Sequence, residues 1–195
     1  MTLFGIEVIE ELSLSDRHVL YRGRRDLDQQ TVLVKTPRGN PPRVADVQSL
    51  EREFGILGEL DFPGVPRVLE IVRQEETCGL IMEDRGGFPL PRLFDSLRHD
   101  PECVLKLGIK LSTILAELHR RDVIHRNLTS PGILVNPANQ EVEIGDFLSA
   151  SRPGGEATAP LPPTSFISSL AYISPEQTAR FHNATRRHAP PQSHG

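Results

Sequence analysis

The chain has 195 residues, a net charge of −4 and a pI near 6, so it is long enough for one core or a small two-lobed domain and lacks the basic surface of a nucleic-acid-binding protein. Trp is absent and aromatic residues make up 5% of the chain, which predicts an aliphatic core. Two cysteines, Cys78 and Cys103, are too few for a disulfide framework and lack metal-ligand spacing, so we interpret them as ordinary thiols.

The first half of the chain is dominated by short runs of strand-forming residues. Between 43 and 60, apolar residues instead recur at helical spacing, which predicts one helix that ends at the Asp-Phe-Pro-Gly segment beginning at Asp61. The five β-rich runs that surround this helix are 6–14, 18–24, 30–36, 65–72 and 77–82.

The second half is predicted to be mainly helical. A short helix is expected near 91–97 and a long one over 101–120, with Asp100 as its N-cap and Pro101 in its first position. The long helix carries an apolar stripe, but its lysines and its glutamate exclude a membrane span. The N-terminus does not resemble a signal peptide, so we expect a cytoplasmic protein of the α+β class.

The stretch from Val123 to Leu148 carries the most specific pattern in the chain. Two β-rich runs, 133–136 and 142–144, flank a turn-forming N-P-A-N-Q segment and predict a hairpin. His-Arg-Asn precedes this hairpin and Asp-Phe-Leu follows it. The layout resembles the active-site core of protein kinases, H-R-D-L-x-x-x-N followed by D-F-G. The segment L-H-R-R-D-V-I-H-R-N at 118–127 strengthens the resemblance, which extends over about residues 5–180.

The resemblance implies a protein-kinase-like fold with a five-stranded antiparallel N-lobe, one inserted helix and an incomplete helical C-lobe. We expect the N-lobe at 1–83, a partial C-lobe with hinge, catalytic loop and activation segment at 84–180, and a disordered tail at 181–195. Within 149–169, which we expect to be mobile, Thr158, Thr164, Ser165 and Ser168 stay open between a phosphorylation site and a plain linker. Ser174-Pro175-Glu176 takes the place of the family's A-P-E.

The resemblance also implies a nucleotide site. In V-L-V-K, Lys35 corresponds to the lysine that holds the α- and β-phosphates, and Glu53 corresponds to its helix partner. Glu83 lies in the hinge, 81–87, whose backbone would meet adenine. Counting back from Lys35 puts Leu20 at the valine of the phosphate-covering loop. The three glycine positions of that loop become Ser13, Ser15 and His18, of which His18 is expected to be a surface imidazole.

Several catalytic letters depart from the family pattern. Asn127 replaces the catalytic aspartate, and loss of a general base costs about 10²–10⁴-fold in rate, although an amide could still orient a hydroxyl. Thr129 replaces a lysine that neutralises the γ-phosphate, and Gly132 replaces the asparagine that holds one Mg²⁺. Asp146 stays available as a Mg²⁺ ligand, with Phe147 expected to pack between the lobes. Leu148, in place of glycine, would resist a positive φ.

The residues that match the family and those that replace its catalytic residues together predict a domain of the Ser/Thr-kinase type. It is expected to bind ATP and Mg²⁺ but to transfer phosphate weakly or not at all. The segments G-L-I-M-E-D-R-G-G and L-A-Y-I-S-P-E-Q-T-A-R are similar to the kinase-like N-terminal domains of large microbial hybrid histidine kinases. That similarity implies a signalling role with a protein partner, a histidine kinase being one candidate. Two alternatives stay open: a nucleotide-free docking module for such a partner, and a truncated gene fragment.

Overall fold

The computed structural model describes residues 1–97, 99–152 and 172. Its N-terminal part is a six-stranded antiparallel sheet with strand order β1-β2-β3-β4-β6-β5. The strands are β1 (Thr2–Leu3), β2 (Ile6–Leu14), β3 (His18–Arg25), β4 (Thr31–Pro37), β5 (Val68–Gln74) and β6 (Thr77–Glu83). The prediction of five strands is therefore one short, because β1 has two residues and a run of that length carries no periodicity.

Helix α1 (Val44–Gly58) packs between this sheet and the segment that follows the C-terminal hairpin. Its buried face carries Leu50, Glu53 and Leu57, spaced three and four residues apart. The helix ends two residues earlier than the apolar pattern predicted, and the N–H groups of Glu59 and Leu60 close its last turn. The position of α1 fixes where Glu53 faces the sheet.

The C-terminal part contains α2 (Phe94–Leu97) and the long helix α3 (Pro101–Arg120), whose bounds agree with the prediction. The carboxylate of Asp100 accepts hydrogen bonds from the N–H groups of Glu102 and Cys103, so the predicted N-cap is present. A three-stranded sheet in the order β7-β8-β9 lies beside α3. It consists of β7 (Phe88–Pro89), β8 (Ile133–Val135) and β9 (Val142–Ile144). The hairpin was predicted, whereas the two-residue β7 was not.

One apolar cluster runs through both parts of the molecule. It includes Leu50 and Leu80 from the N-terminal part and Leu118, Ile144 and Phe147 from the C-terminal part. Because these side chains share a core, the N-terminal sheet and the C-terminal hairpin are held at fixed positions on either side of a cleft. Among the described helices, none is both long and apolar enough to cross a membrane.

Several predictions fall outside the described residues. They concern the activation segment beyond 152, the candidate residues Thr158, Thr164, Ser165 and Ser168, the Ser174-Pro175-Glu176 segment, and the tail at 181–195. β6 ends at Glu83, where the boundary between the two lobes was placed. The division into lobes stays a prediction.

Candidate functional site

Three charged side chains from distant parts of the chain meet in the cleft between the two parts. Nζ of Lys35, near the end of β4, lies 3.0 and 2.8 Å from the two carboxylate oxygens of Glu53 and 2.9 Å from Oδ1 of Asp146. Lys35 and Glu53 are 3% and 1% exposed. The ion pair expected from the strand and helix register is therefore present, and Asp146 joins it.

The electrostatics of this cluster follow from one ammonium shared between two carboxylates. Burial by itself lowers the pKa of Lys35, but the Asp146 and Glu53 carboxylates outweigh it and raise the pKa above its usual value. Burial raises the pKa of Asp146, yet the charge of Lys35 overrides that effect and holds it below its usual range. Burial raises the pKa of Glu53. Lys35 and Asp146 therefore form a charged pair.

Asn127, at the place of the catalytic aspartate, uses its amide to hold Asp146. Its Nδ2 donates to Oδ2 of Asp146 at 2.9 Å. The preceding His125 donates from Nε2 to the carbonyl of Gly145 at 2.8 Å and accepts the N–H of Asn127 at Nδ1 at 3.4 Å. This pattern requires a neutral imidazole, and burial lowers the pKa of His125 accordingly. Asn127 therefore acts as a hydrogen-bond donor within the site.

The Asp-Phe-Leu segment is fixed from both sides. Phe147 is 1% exposed, meets the ring of His125 edge-on at 4.7 Å, and donates its N–H to Glu53 at 2.9 Å. The positive φ in this segment falls on Asp146, at 64°, a residue type that tolerates the left-handed region. Leu148 lies in a 3₁₀ turn, Phe147–Ser149, so the strain anticipated at Leu148 does not arise there.

A kinase-type magnesium site is one ligand short, because Asp146 is present but the second ligand is not. Oδ1 of Asp146 is engaged by Lys35 and Oδ2 by Asn127. A Cβ at Gly132 would lie 3.4 Å from that of Asp146, so position 132 adjoins the site, but glycine supplies no side-chain oxygen. Within 1–97, 99–152 and 172, no group of three or more His, Cys, Asp or Glu side chains is arranged to hold a metal.

His18, at a glycine position of the phosphate-covering loop, turns into the cleft. Its Nε2 lies 3.5 Å from Oδ1 of Asp146, its Nδ1 lies 3.2 Å from Oγ of Ser15, and its side chain is 16% exposed. Burial, together with the charge of Lys35, lowers the pKa of His18 to about 3, so the ring is neutral near pH 7. The prediction of a surface imidazole was wrong, because a sequence does not show which side chain of a tight turn faces another lobe.

The two serines of this loop contribute to its local structure. The hydroxyl of Ser15 donates to the carbonyl of His18 and accepts the N–H groups of Arg17 and His18, which closes the turn between β2 and β3. Ser13 pairs with Leu20 across the two strands. Leu20 in turn lies opposite Lys35 in the next strand pair and packs against the apolar cluster.

Hinge residues and one leucine complete the cleft. The N–H of Glu83 donates to the carbonyl of Arg67, and the carbonyl of Arg85 accepts from the amide of Asn136 at 2.6 Å. Leu33 lies two residues before Lys35, so its side chain shares the cleft face of β4, and it is 1% exposed. Our sequence reasoning missed Leu33, although the signal was present: V-L-V-K has leucine where the family has alanine.

Arg22 was also missed and ties the hinge to the sheet. Its guanidinium donates to both carboxylate oxygens of Asp84, to Glu10 and to the carbonyl of Gly87, at 2.6 to 3.1 Å. It also lies over the ring of Phe88, 4.7 Å from the centroid. No spacing in the sequence pointed to this contact, since its partners are up to 65 residues away.

A curled antiparallel sheet, one helix bearing a buried glutamate, and a loop–hairpin–loop segment define a kinase-like N-lobe with its catalytic loop. Residues 17–189 match the sequence model of the protein kinase domain. The chain therefore belongs to the protein kinase domain family.

The curated relatives are Ser/Thr kinases at low identity. The chain is 23% identical over 167 residues to serine/threonine-protein kinase nekl-2 of Caenorhabditis elegans, which covers 80% of this chain and 46% of that protein. It is 31% identical over 105 residues to mitogen-activated protein kinase kinase kinase 2 of Arabidopsis thaliana, and this match covers 53% of this chain and 16% of that protein. The chain thus spans less than half the length of these relatives.

Proposed function

We propose that this chain is a regulatory kinase-fold domain that has lost efficient phosphotransfer. The observation that carries the proposal is the hydrogen bond from the Asn127 amide to Asp146. A kinase needs a carboxylate at this position to accept the proton of the substrate hydroxyl. An amide whose N–H points at Asp146 provides neither the negative charge nor the basicity.

Two further replacements support the same proposal. Gly132 adjoins Asp146 without an oxygen ligand, and Thr129 supplies no cation for the γ-phosphate. Phosphoryl transfer depends mainly on positioning and charge neutralisation, so these losses multiply with the loss of the base. A chain that keeps the fold without this chemistry is suited to act through its surfaces. A histidine kinase stays our candidate partner, because the hinge sequence of this chain, G-L-I-M-E-D-R-G-G, resembles that of kinase-like domains in hybrid histidine kinases.

ATP binding through Lys35, Glu53 and Asp146 separates two candidate functions for such a domain. The lysine and its glutamate are held as a kinase holds them, which favours a phosphate contact. The imidazole of His18 beside Asp146 and the buried Leu33 favour the second candidate, a docking module that works without nucleotide. Both candidates share the loss of phosphotransfer.

Transfer of labelled phosphate from ATP to a generic protein substrate tests the proposal. We expect the wild type to stay at the background set by heat-denatured protein. Asn127→Asp, which supplies the missing carboxylate, is the comparator. A wild-type rate above background that equals the rate of Asn127→Asp would show that the replacement has no consequence, and the proposal would fail.

A further inference from the structure

The tip of the β2–β3 hairpin is fastened to helix α1. Nε of Arg17 donates to Asp46 at 2.7 Å and its Nη2 donates to Ser49 at 2.9 Å. Asp46 and Ser49 are 6% and 1% exposed, so these contacts form largely away from water. The carbonyl of Arg17 also accepts the N–H of Arg38 at 2.8 Å. A hairpin tip held by charged and backbone hydrogen bonds is restrained over the cleft.

Because Arg17 is held in this way, the next residue, His18, lies in the cleft. His18 opens β3 opposite Pro37, two residues beyond Lys35 in the neighbouring strand. Ser15 contacts both its ring and its carbonyl, which fixes the direction of the side chain. The ring therefore faces the cluster of Lys35, Glu53 and Asp146.

The contacts inside that cluster leave the Lys35 ammonium no free N–H for a phosphate, because its three donors face the two oxygens of Glu53 and Oδ1 of Asp146. Nε2 of His18 and Oδ1 of Asp146 are 3.5 Å apart, and Lys35 lies 2.9 Å from the same oxygen. A phosphate oxygen bonded to Lys35 requires its own contact of about 2.8 Å, and a hydrated magnesium ion requires more room. Both would therefore need space beside Oδ1 of Asp146, where the imidazole lies. Leu33, 1% exposed on the same face of β4, fills space deeper in the cleft.

We propose that His18 occupies the phosphate subsite of this domain, so that the hairpin closes the cleft against magnesium–ATP while the lobes stay together without a ligand. The protein's own side chain thus takes the place of the nucleotide. The inference rests on the kinase-fold function proposed above but not on the loss of phosphotransfer. In this proposal, the side chain of His18 keeps nucleoside triphosphates out of the site.

Thermal unfolding of the whole chain with and without 1 mM ATP and Mg²⁺, a concentration of about 100 Kd for a 10 µM site, tests the inference. His18→Gly removes the ring, and Asp16→Gly, at an exposed position of the same turn, is the matched control for loosening of the hairpin. We expect no shift for the wild type or Asp16→Gly, and a rise of roughly 5–10 °C for His18→Gly if its Kd is near 10 µM.

Each result decides the question. A folded His18→Gly that gains no stability from magnesium–ATP overturns the inference. A wild type stabilised as much as His18→Gly also overturns it, and so does an equal gain in Asp16→Gly. If His18→Gly does not fold, as judged by circular dichroism, His18→Ala and Arg17→Ala replace it, and absence of a gain in both overturns the inference. An inactive wild type that binds magnesium–ATP contradicts this inference alone, whereas phosphate transfer by the wild type at the rate of Asn127→Asp requires bound magnesium–ATP and contradicts both this inference and the proposed function.

Discussion

At the scale of single residues, the central fact is that one ammonium, that of Lys35, contacts two carboxylates. Glu53 and Lys35 are both almost fully buried, and the side chain of Asp146 is 16% exposed. Buried charges are tolerated when they are paired and hydrogen-bonded, and removal of one partner leaves the others uncompensated. The cluster is therefore more sensitive to substitution than the ion pairs at the surface.

Lys35→Met keeps the length of the side chain and removes its charge, so it should lower the free energy of unfolding by about 3–5 kcal/mol. The reason is that Glu53 and Asp146 would face each other without the ammonium. Arg73→Ala, which breaks an ion pair with Glu51 from a side chain that is 66% exposed, is the control and should cost no more than about 1 kcal/mol. Urea denaturation measures both. Equal costs would show that the buried cluster contributes no more than a surface pair.

Residues also show what the sequence could supply. The pairing of Lys35 with Glu53 was implied by the resemblance to protein kinases, and the regular strand and helix that carry these residues bring them together. His18 was misplaced because the direction of a side chain next to a turn depends on neighbours such as Ser15 and Asp146, which no local period reveals. Asn127 was expected to lack the basicity of an aspartate while still able to orient a hydroxyl, and the sequence did not show that its amide donates to Asp146.

At the scale of elements, the long regular segments were predictable and the two-residue ones were not. α3 was placed correctly because its N-cap, first-position proline and apolar stripe agree with one another. β1 and β7 exist only through pairing with β2 and β8, which is a tertiary contact. The β8–β9 hairpin was visible from its turn, but its fastening to the hinge through Arg85 and Glu143 was not.

The burial of Glu143 in this contact predicts that the stability of the protein depends on pH. Burial, with help from the neighbouring Glu83, raises the pKa of Glu143 from 4.5 to about 7, although Arg85 opposes the change. The folded protein then holds this proton more tightly than the unfolded chain does, so the contribution to stability is largest below pH 4.5 and is lost as the pH rises through about 7.

We therefore expect the difference in free energy of unfolding between wild type and Glu143→Gln to fall by up to about 3 kcal/mol between pH 4.5 and pH 8. Glutamine keeps the shape and does not titrate. Glu76→Gln, at an exposed position in the turn between β5 and β6, is the control and should keep the pH-dependent loss of stability seen in the wild type. Urea denaturation at several pH values measures the difference. A difference that stays constant or grows with pH contradicts the assignment.

At the scale of the whole molecule, the two parts share one core, yet one side of α3 is left outside it. Leu105 and Ile109 are each 67% exposed and Val104 is 48% exposed, and they lie along one face of the helix. Along the apolar stripe of α3, the side chains from Leu107 onward pack against the core, whereas Val104 at its start does not; the packed members are Leu107, Leu111, Ile114, Leu115 and Leu118. The sequence could not show which part of the stripe would be covered, because coverage depends on the packing of other elements.

Exposed apolar residues that adjoin one another favour association between molecules, and added acidic residues raise solubility. The double variant Leu105→Glu and Ile109→Glu should therefore precipitate at a higher ammonium sulfate concentration than the wild type. Because both side chains are already in water, its free energy of unfolding should change by no more than about 0.5 kcal/mol per substitution. Leu27→Glu, at an 89% exposed residue in the turn between β3 and β4, adds charge away from this face. If Leu27→Glu raised solubility as much per charge as the double variant, the gain would come from net charge, and the exposed face of α3 would have no special part in it.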